Sequence, residues 1–220
     1  MFRRRKAEGP EDPVDTDDTA AEAETLEDDD EYPDPRANGP WDVSEVTLEE
    51  DDEDRVDLGS LLLRAREGID VQLQVDESSG EVVAVILAGA EGAIELRAFA
   101  APRNGDIWDG VRRGLAGEVA QMGGTATETD GPYGPAVDVS VMVQLPDGTP
   151  AQQQSKVLGI AGPRWLLRAT LFGRPAFEYD EHGDLEQALR DVVVVRGSGP
   201  VPPGDALPLV LPPSARRTEM

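Results

Sequence analysis

The sequence contains no cysteine and only one histidine, His182. Without thiols, neither disulfide bonds nor thiolate metal sites are available to the fold. His182 lies among acidic residues, but no nucleophile or further ligand is near it in the sequence. Acid–base catalysis and metal binding both need such partners. We therefore expect no catalytic residue, no metal site and no cofactor.

Long apolar segments are lacking as well. The longest, residues 82–92, is far shorter than the ~20 residues that a helix needs to cross a bilayer. The chain begins with a basic run that ends at Lys6, and no apolar segment follows it, as one would in a signal peptide. The sequence therefore predicts a cytoplasmic protein with no membrane partner.

Basic residues are scarce in the first quarter of the chain. Residues 7–54 hold 22 of the 45 acidic residues and a single base, Arg36. Residues 1–54 also contain too few large apolar side chains to offset the entropy of ordering the chain. We therefore predict a disordered acidic tail over residues 1–54. The adjacent aspartates in it lack the spacing and the glycine of a calcium loop.

One aromatic segment interrupts this tail, with the sequence Gly-Pro-Trp-Asp-Val over residues 39–43. A tryptophan in acidic surroundings either docks on the folded domain or awaits a partner. We favour docking on the chain's own domain.

The charge pattern also bears on partners. Residues 55–220 retain 23 acidic and 15 basic residues, so this part is itself mildly acidic and has no basic stripe. A nucleic-acid partner is therefore not expected, because binding to phosphates requires such a stripe. The acidic tail instead favours a basic protein partner.

Beyond residue 54 the dominant pattern is alternation of apolar and polar residues, which is typical of half-buried strands. The apolar runs 157–161 and 165–172 are joined by Gly-Pro-Arg at residues 162–164, a combination that favours a turn. We predict a central antiparallel hairpin there. Further strands are predicted at residues 56–63 (a first edge strand with a turn at Gly59), 71–75, 82–87, 94–98, 137–145 and 192–195, the last closing the sheet.

Two segments change to helical spacing. Apolar residues recur at steps of three and four over residues 106–122, which predicts an amphipathic helix. Its glycines at 110, 114 and 117 are interpreted as points of close packing on the sheet. A shorter helix is predicted from Asp184. The fold class is α+β, with a curved antiparallel sheet of six to seven strands and two helices packed on it.

These elements define three regions. Residues 1–54 form the acidic tail, residues 55–197 a single α+β domain, and residues 198–220 a proline-rich tail of extended character.

Loops on a rigid sheet are where binding residues often lie. The candidate interaction surface combines the loop at Pro132 and Tyr133 with the turn at Pro163 and Arg164. Two tryptophans, Trp41 and Trp165, are assigned to the same surface. The sequence thus favours a non-catalytic protein-interaction or accessory module. A Tyr133 that only covers the end of the sheet is the alternative.

A small-molecule or nucleotide-handling enzyme is the other functional hypothesis. It depends on charged residues within otherwise apolar strands, namely Arg168, Asp138 and Glu178. The alternative to this enzymatic hypothesis is that Arg168 has a structural role and pairs with a carboxylate on a neighbouring strand.

The motifs Gly-Pro-Trp-Asp-Val (39–43), Asp-Leu-Gly-Ser-Leu (57–61), Asp-Gly-Pro-Tyr-Gly-Pro (130–135) and Gly-Pro-Arg-Trp-Leu-Leu-Arg (162–168) occur in that order. Over about residues 39–200 the chain resembles an actinobacterial family of uncharacterised proteins, domain-of-unknown-function family 3710. No activity is established for it, so no catalytic residues are implied. Members of this family are often encoded near dUTPase, and the resemblance therefore implies a link to nucleotide metabolism. By analogy, the element order resembles the Mog1/PsbP-like fold.

Overall fold

The computed structural model of the protein describes residues 34–48 and 54–212. Its strands, in chain order, are β1 Trp41–Asp42, β2 Arg55–Asp57, β3 Leu61–Arg64, β4 Asp70–Val75, β5 Val82–Gly89, β6 Gly92–Ala100, β7 Thr125–Gly131, β8 Gly134–Gln144, β9 Pro150–Gly162, β10 Trp165–Gly173 and β11 Val193–Val194. Its α-helices are α1 Trp108–Gln121, α2 Arg174–Phe177 and α3 Asp184–Arg190, and a 3-10 helix spans Val43–Glu45. The predicted α+β class is confirmed.

Seven strands form one antiparallel sheet in the order β4-β5-β6-β10-β9-β8-β7. The predicted hairpin is confirmed as β9 and β10, which pair from Ser155↔Phe172 to Gly162↔Trp165. The middle strand of the sheet is β10, because β6 pairs along its other edge, with Leu167 opposite Ala98. An apolar side chain at every second position of β10 explains this central place, since one face of the strand is fully buried.

The sheet has two faces with different coverings. On the core face, alternate residues of β6 and β10 join the larger apolar cluster, which also contains Leu185 and Leu189 of α3. On the helix face, α1 packs on β7 and β8, and its Trp108 and Val119 contact Val137, Val157 and Leu166. Both predicted helices are therefore present, one on each face.

Helix α1 is held to the sheet by Trp108, a residue outside the apolar spacing that predicts the helix. Trp108 is buried, and its indole Nε1 donates to the carbonyl of Pro135 over 2.7 Å. The ring lies on Gly159, where an added Cβ would be 2.2 Å from Trp108 Cδ2. The glycines of α1 itself have no atom within 4 Å of such a Cβ, so their interpretation as packing points is wrong.

A second, four-stranded sheet has the order β1-β11-β3-β2. Two strands were therefore assigned to the wrong sheet. Residues 192–195 do not close the large sheet, because Val193 and Val194 pair with Leu62 and Leu61 of β3 and, on their other side, with β1. The predicted turn at Gly59, whose φ is +83°, is confirmed, and it divides the segment 56–63 into β2 and β3. Alternation identifies a strand but does not name its partner.

The ordered fold extends past residues 55–197 on both sides. Residues 34–48 lie against the folded part through β1, so the part of the predicted tail that the structure describes is ordered. The rest of that prediction lies outside the described residues. At the other end, Leu207 is buried and its N–H donates to Ala98, while Val210 donates to Leu58. Short apolar anchors hold both segments despite their polar or proline-rich composition.

The strand β7 was not predicted. Its sequence, Thr-Ala-Thr-Glu-Thr-Asp-Gly, has a single apolar side chain, so it carries no alternation. It pairs with β8 along its full length as an edge strand, where polar side chains are tolerated. As a result, the predicted loop at residues 130–135 is a tight hairpin with only Pro132 and Tyr133 at its tip.

Candidate interaction surface

Two hairpin turns lie at the same end of the large sheet. Pro132 and Tyr133 connect β7 to β8, and Pro163 and Arg164 connect β9 to β10. Because β8 and β9 are antiparallel neighbours with Ala136 opposite Leu158, the start of β8 and the end of β9 meet at one end. The structure therefore brings together the two turns that the sequence proposed as one surface. We call Pro132, Tyr133, Pro163 and Arg164 the turn surface.

Arg164 has an unusual backbone conformation. Its φ is +63°, and no other non-glycine residue in segments 34–48 and 54–212 has a positive φ. A proline followed by a residue of positive φ is the pattern of a type II turn, whose second central position favours glycine. The carbonyl of Arg164 accepts the N–H of Ala101 over 2.9 Å, which fixes the turn against the end of β6. The side chain is exposed.

Trp165 does not belong to an exposed surface. Its side chain is completely buried, and its indole Nε1 donates to Oδ2 of Asp42 over 2.7 Å. Asp42 is itself buried, and its Oδ1 accepts both the N–H and the hydroxyl of Ser44. Trp165 therefore binds the chain's own N-terminal segment, and its assignment to a partner-binding surface is corrected.

Trp41 takes part in the same docking. Its N–H donates to the carbonyl of Val192, and strand β1 continues from there along β11. Gly39 precedes it with a φ of +85°, and a Cβ at Gly39 would be 2.1 Å from the carbonyl oxygen of Arg190. Residues 34–48, which we call the docking segment, thus fit closely against the end of α3.

An ion pair reinforces the docking segment from outside. The guanidinium of Arg36 donates to both carboxylate oxygens of Glu45, over 2.6 and 2.7 Å. These hydrogen bonds hold the pKa of Glu45 below its ordinary value. The same guanidinium lies over the ring of Trp165, 5.5 Å from its centroid. The only base in the acidic stretch therefore covers the buried tryptophan.

Tyr133 is half-buried and packs edge-on against Tyr179, with ring centroids 6.4 Å apart. The two hydroxyl oxygens are 3.4 Å apart. Burial raises the pKa of both phenols, and for Tyr133 the neighbouring Tyr179 adds to the shift. One side of Tyr133 thus closes the end of the core face, as the structural alternative expected, and its other side belongs to the turn surface.

The residues of the enzymatic hypothesis do not converge. Asp138 forms an ion pair with Lys156, with Oδ1 and Nζ 2.6 Å apart, and lies on the face of β8 opposite to Val137. Arg168 shares the helix face with Leu166, and Glu178 is exposed beyond α2. In the parts of the chain that the structure describes, no group of three or more His, Asp or Glu side chains is arranged to hold a metal ion.

A pair of arginines on the helix face is the feature that the sequence did not reveal. Arg168 of β10 lies directly opposite Arg97 of β6. Burial, and then the positive charge of Arg97, lower the pKa of Arg168. The sequence pattern singles out Arg168 without Arg97, because local alternation does not show which strand lies beside β10.

No helix within residues 34–48 and 54–212 has both the length and the apolar character needed to cross a membrane.

Comparison with known proteins places the chain in a family. No curated protein matches it. The family model described as "Protein of unknown function (DUF3710)" matches residues 39–218. This match begins at Gly39, within the docking segment, and it includes the C-terminal segment around Leu207. Because it covers most of the sequence, the protein belongs to the DUF3710 family.

Proposed function

We propose that the protein is a non-catalytic interaction module that binds a protein partner through the turn surface. The observation that carries this proposal is the conformation of Arg164, an exposed arginine with positive φ at the tip of the central hairpin. A left-handed backbone costs a non-glycine residue about 1–2 kcal/mol. Strain of this kind is typical of sites where function decides the residue.

The strained backbone of Arg164 does not serve any side-chain contact within the described fold. Its guanidinium makes no hydrogen bond or ion pair with any residue in segments 34–48 and 54–212. The one contact that anchors the turn, from the N–H of Ala101 to the carbonyl of Arg164, involves only backbone and would be kept by glycine. An arginine that stabilises nothing within the fold is explained by a contact outside it.

The neighbouring turn supports a binding role for the same end of the sheet. Pro132 and Pro163 both limit the freedom of the backbone, so little entropy is lost when the turns are held by a partner. Tyr133 adds an amphipathic ring whose inner edge is already fixed by Tyr179. Rigid aromatic and arginine side chains are the residues that most often dominate protein interfaces.

The proposal keeps the partner and the location that the sequence favours. The partner is a protein with a basic region for the acidic residues of 7–54, except Asp42 and Glu45, which bond within the fold. An acidic group of the same partner meets Arg164. The location is the cytoplasm, and cell fractionation tests it. We do not propose the enzymatic alternative, because Arg168, Asp138 and Glu178 lie apart.

Capture from native cell lysate with the full-length chain as bait tests this function. The baits are the native chain, R164N and the matched variant R113A, which removes an exposed arginine from α1. Asparagine tolerates a positive φ, so R164N keeps the turn and removes the guanidinium. We expect the native chain and R113A to retain the same proteins, and R164N to lose at least one of them.

Equal retention by all three baits would contradict the assigned surface. Circular dichroism of the baits before capture confirms that each variant is folded, so a loss by R164N reports on binding.

A further inference from the structure

Two arginines face each other in the middle of the large sheet. Arg97 and Arg168 are direct partners across β6 and β10, and both lie on the helix face of the sheet. Like charges directly opposite each other destabilise a sheet. An apolar pair at these positions would join the strands at no such cost, so the arginines require another reason.

The surrounding carboxylates do not fully satisfy the two guanidinium groups. Glu95 Oε1 is 3.0 Å from Nε of Arg97 but 3.8 Å from Arg168, which is beyond hydrogen-bond distance. Glu118 of α1 acts on Arg168 only through its charge. The Nε atom of Arg168 is buried and has no hydrogen-bond partner among the described residues. Its guanidinium instead lies over the ring of Phe99, 5.5 Å from the centroid.

A cavity opens beside these residues. Strands β5 and β6 pair only from Val85↔Leu96 to Gly89↔Gly92 and separate beyond that point. The C-terminal segment enters the gap, where Leu209 bridges to Val82 and Ala206 to Phe99. The space left has a volume of about 470 Å³ and is lined by residues 80–83, 97–99, 206–209 and Leu211. This volume is in the range of small-molecule sites.

The lining matches a molecule with two chemically different ends. Most of the lining side chains are apolar, among them Val82, Val83 and Leu209, and Phe99 adds an aromatic ring. Arg97 is the one cationic residue of the lining, and Arg168 contacts the ring of Phe99 without lining the cavity itself. Glu81 also lines the cavity, but it is exposed.

We propose that this cavity is a binding site for a small molecule that carries a carboxylate or phosphate group on an apolar body. The anionic group accepts hydrogen bonds from Arg97, the guanidinium of the lining, because a guanidinium fork matches both anions. Arg168, the cross-strand partner of Arg97, adds its positive charge from outside the lining. The apolar body lies against Phe99 and the side chains of the C-terminal segment. This site is independent of the turn surface.

Isothermal titration calorimetry on the full-length chain tests the proposal with four probes. Octanoate and octyl phosphate carry the two anionic groups on one apolar chain, 1-octanol lacks the charge, and inorganic phosphate lacks the apolar body. We expect octanoate or octyl phosphate to bind at least about tenfold more tightly than 1-octanol and inorganic phosphate. The tighter of the two identifies the anionic group.

Two variants separate a binding role from a structural one. R168M keeps the length of the side chain and removes the charge, and R113M makes the same change at an exposed position of α1. We expect R168M to weaken binding of the anionic probe by about tenfold or more, and R113M to leave it unchanged. We also expect the urea midpoint of R168M without ligand to equal or exceed that of the native chain, because the removed charge is largely buried, faces the like charge of Arg97 and has only a long ion pair with Glu95.

Three results would overturn the proposal. The first is the absence of binding by both anionic probes at millimolar concentration. The second is equal binding of 1-octanol, which would show an apolar cavity without anion recognition. The third is unchanged affinity in R168M, or a clear loss of its urea midpoint, which would make Arg168 a structural partner of Glu95.

Discussion

The indole N–H of Trp165 donates to the carboxylate of Asp42 over 2.7 Å, between residues that lie 123 positions apart in the chain. This bond joins the centre of the large sheet to the docking segment. Both groups are buried, so neither can turn to water when its partner is lost. The segment that composition assigned to an acidic tail is therefore part of the fold.

The first prediction concerns this bond. Asp42 accepts three hydrogen bonds, from the Trp165 side chain and from the N–H and hydroxyl of Ser44. D42N replaces one acceptor oxygen by a donor, which leaves at least one of these N–H or O–H groups unsatisfied. We expect a loss of about 1–3 kcal/mol in the free energy of unfolding, measured with urea.

The matched control is D70N, which removes the same charge from an exposed position at the start of β4. It should change the free energy of unfolding by less than about 0.5 kcal/mol. If the two variants were equally stable, the bond to Trp165 would not hold the docking segment.

The second prediction concerns the packing of Trp108 of α1 on Gly159 of β9. A Cβ at Gly159 would lie 2.2 Å from Trp108 Cδ2, so the tryptophan must move in G159A. We expect overpacking to cost about 1–3 kcal/mol in urea unfolding. In contrast, G114A adds a methyl group to α1 where no atom lies within 4 Å. It should stabilise the protein by about 0.5–1 kcal/mol, because alanine favours the helix. A G159A variant as stable as G114A would show that Trp108 does not rest on the sheet.

The third prediction is a dependence of stability on pH. Burial raises the pKa of Tyr133 and Tyr179 above the ordinary value of 10.0. Above that value the unfolded chain loses phenolic protons that the folded chain keeps, so folding stability is full below pH 10 and falls as pH rises. Each affected tyrosine lowers the free energy of unfolding by up to about 1.4 kcal/mol per pH unit.

Urea unfolding between pH 8 and 11 measures this slope, and Y133F should reduce it. Phenolate absorbance that rises at the ordinary pKa in the folded protein, for all its tyrosines, would contradict the burial of this pair.

Local pattern predicted the elements better than their partners. The alternation over 137–145 and 165–172 gave β8 and β10, because a strand with one buried face must alternate. Val193 and Val194 have the same apolar character, but they pair in the smaller sheet, since strand partners depend on contacts far apart in sequence. The polar strand β7 lacks any apolar signal and was missed for that reason.

The candidate site shows the same division. The turns at Pro132 and Pro163 were legible from turn chemistry, and they do lie at one end of the sheet. Trp165, which was assigned to that surface, is instead buried against Asp42, a residue of the acidic stretch 123 positions away, and local pattern does not show such a contact. The pair of Arg97 and Arg168 required the register of two strands that are remote in sequence.

The central claim, that a partner binds at the turn surface, is tested most directly by photocrosslinking in cells. A photoreactive phenylalanine derivative is placed at Pro163 in one full-length variant. In the control it is placed at Asp147, in the exposed turn that joins β8 to β9 at the opposite end of the same strands. We predict a discrete crosslinked protein from position 163 that is absent from position 147. It should also disappear when R164N is added to the first variant. Identical products from both positions, or none from 163, would contradict the account.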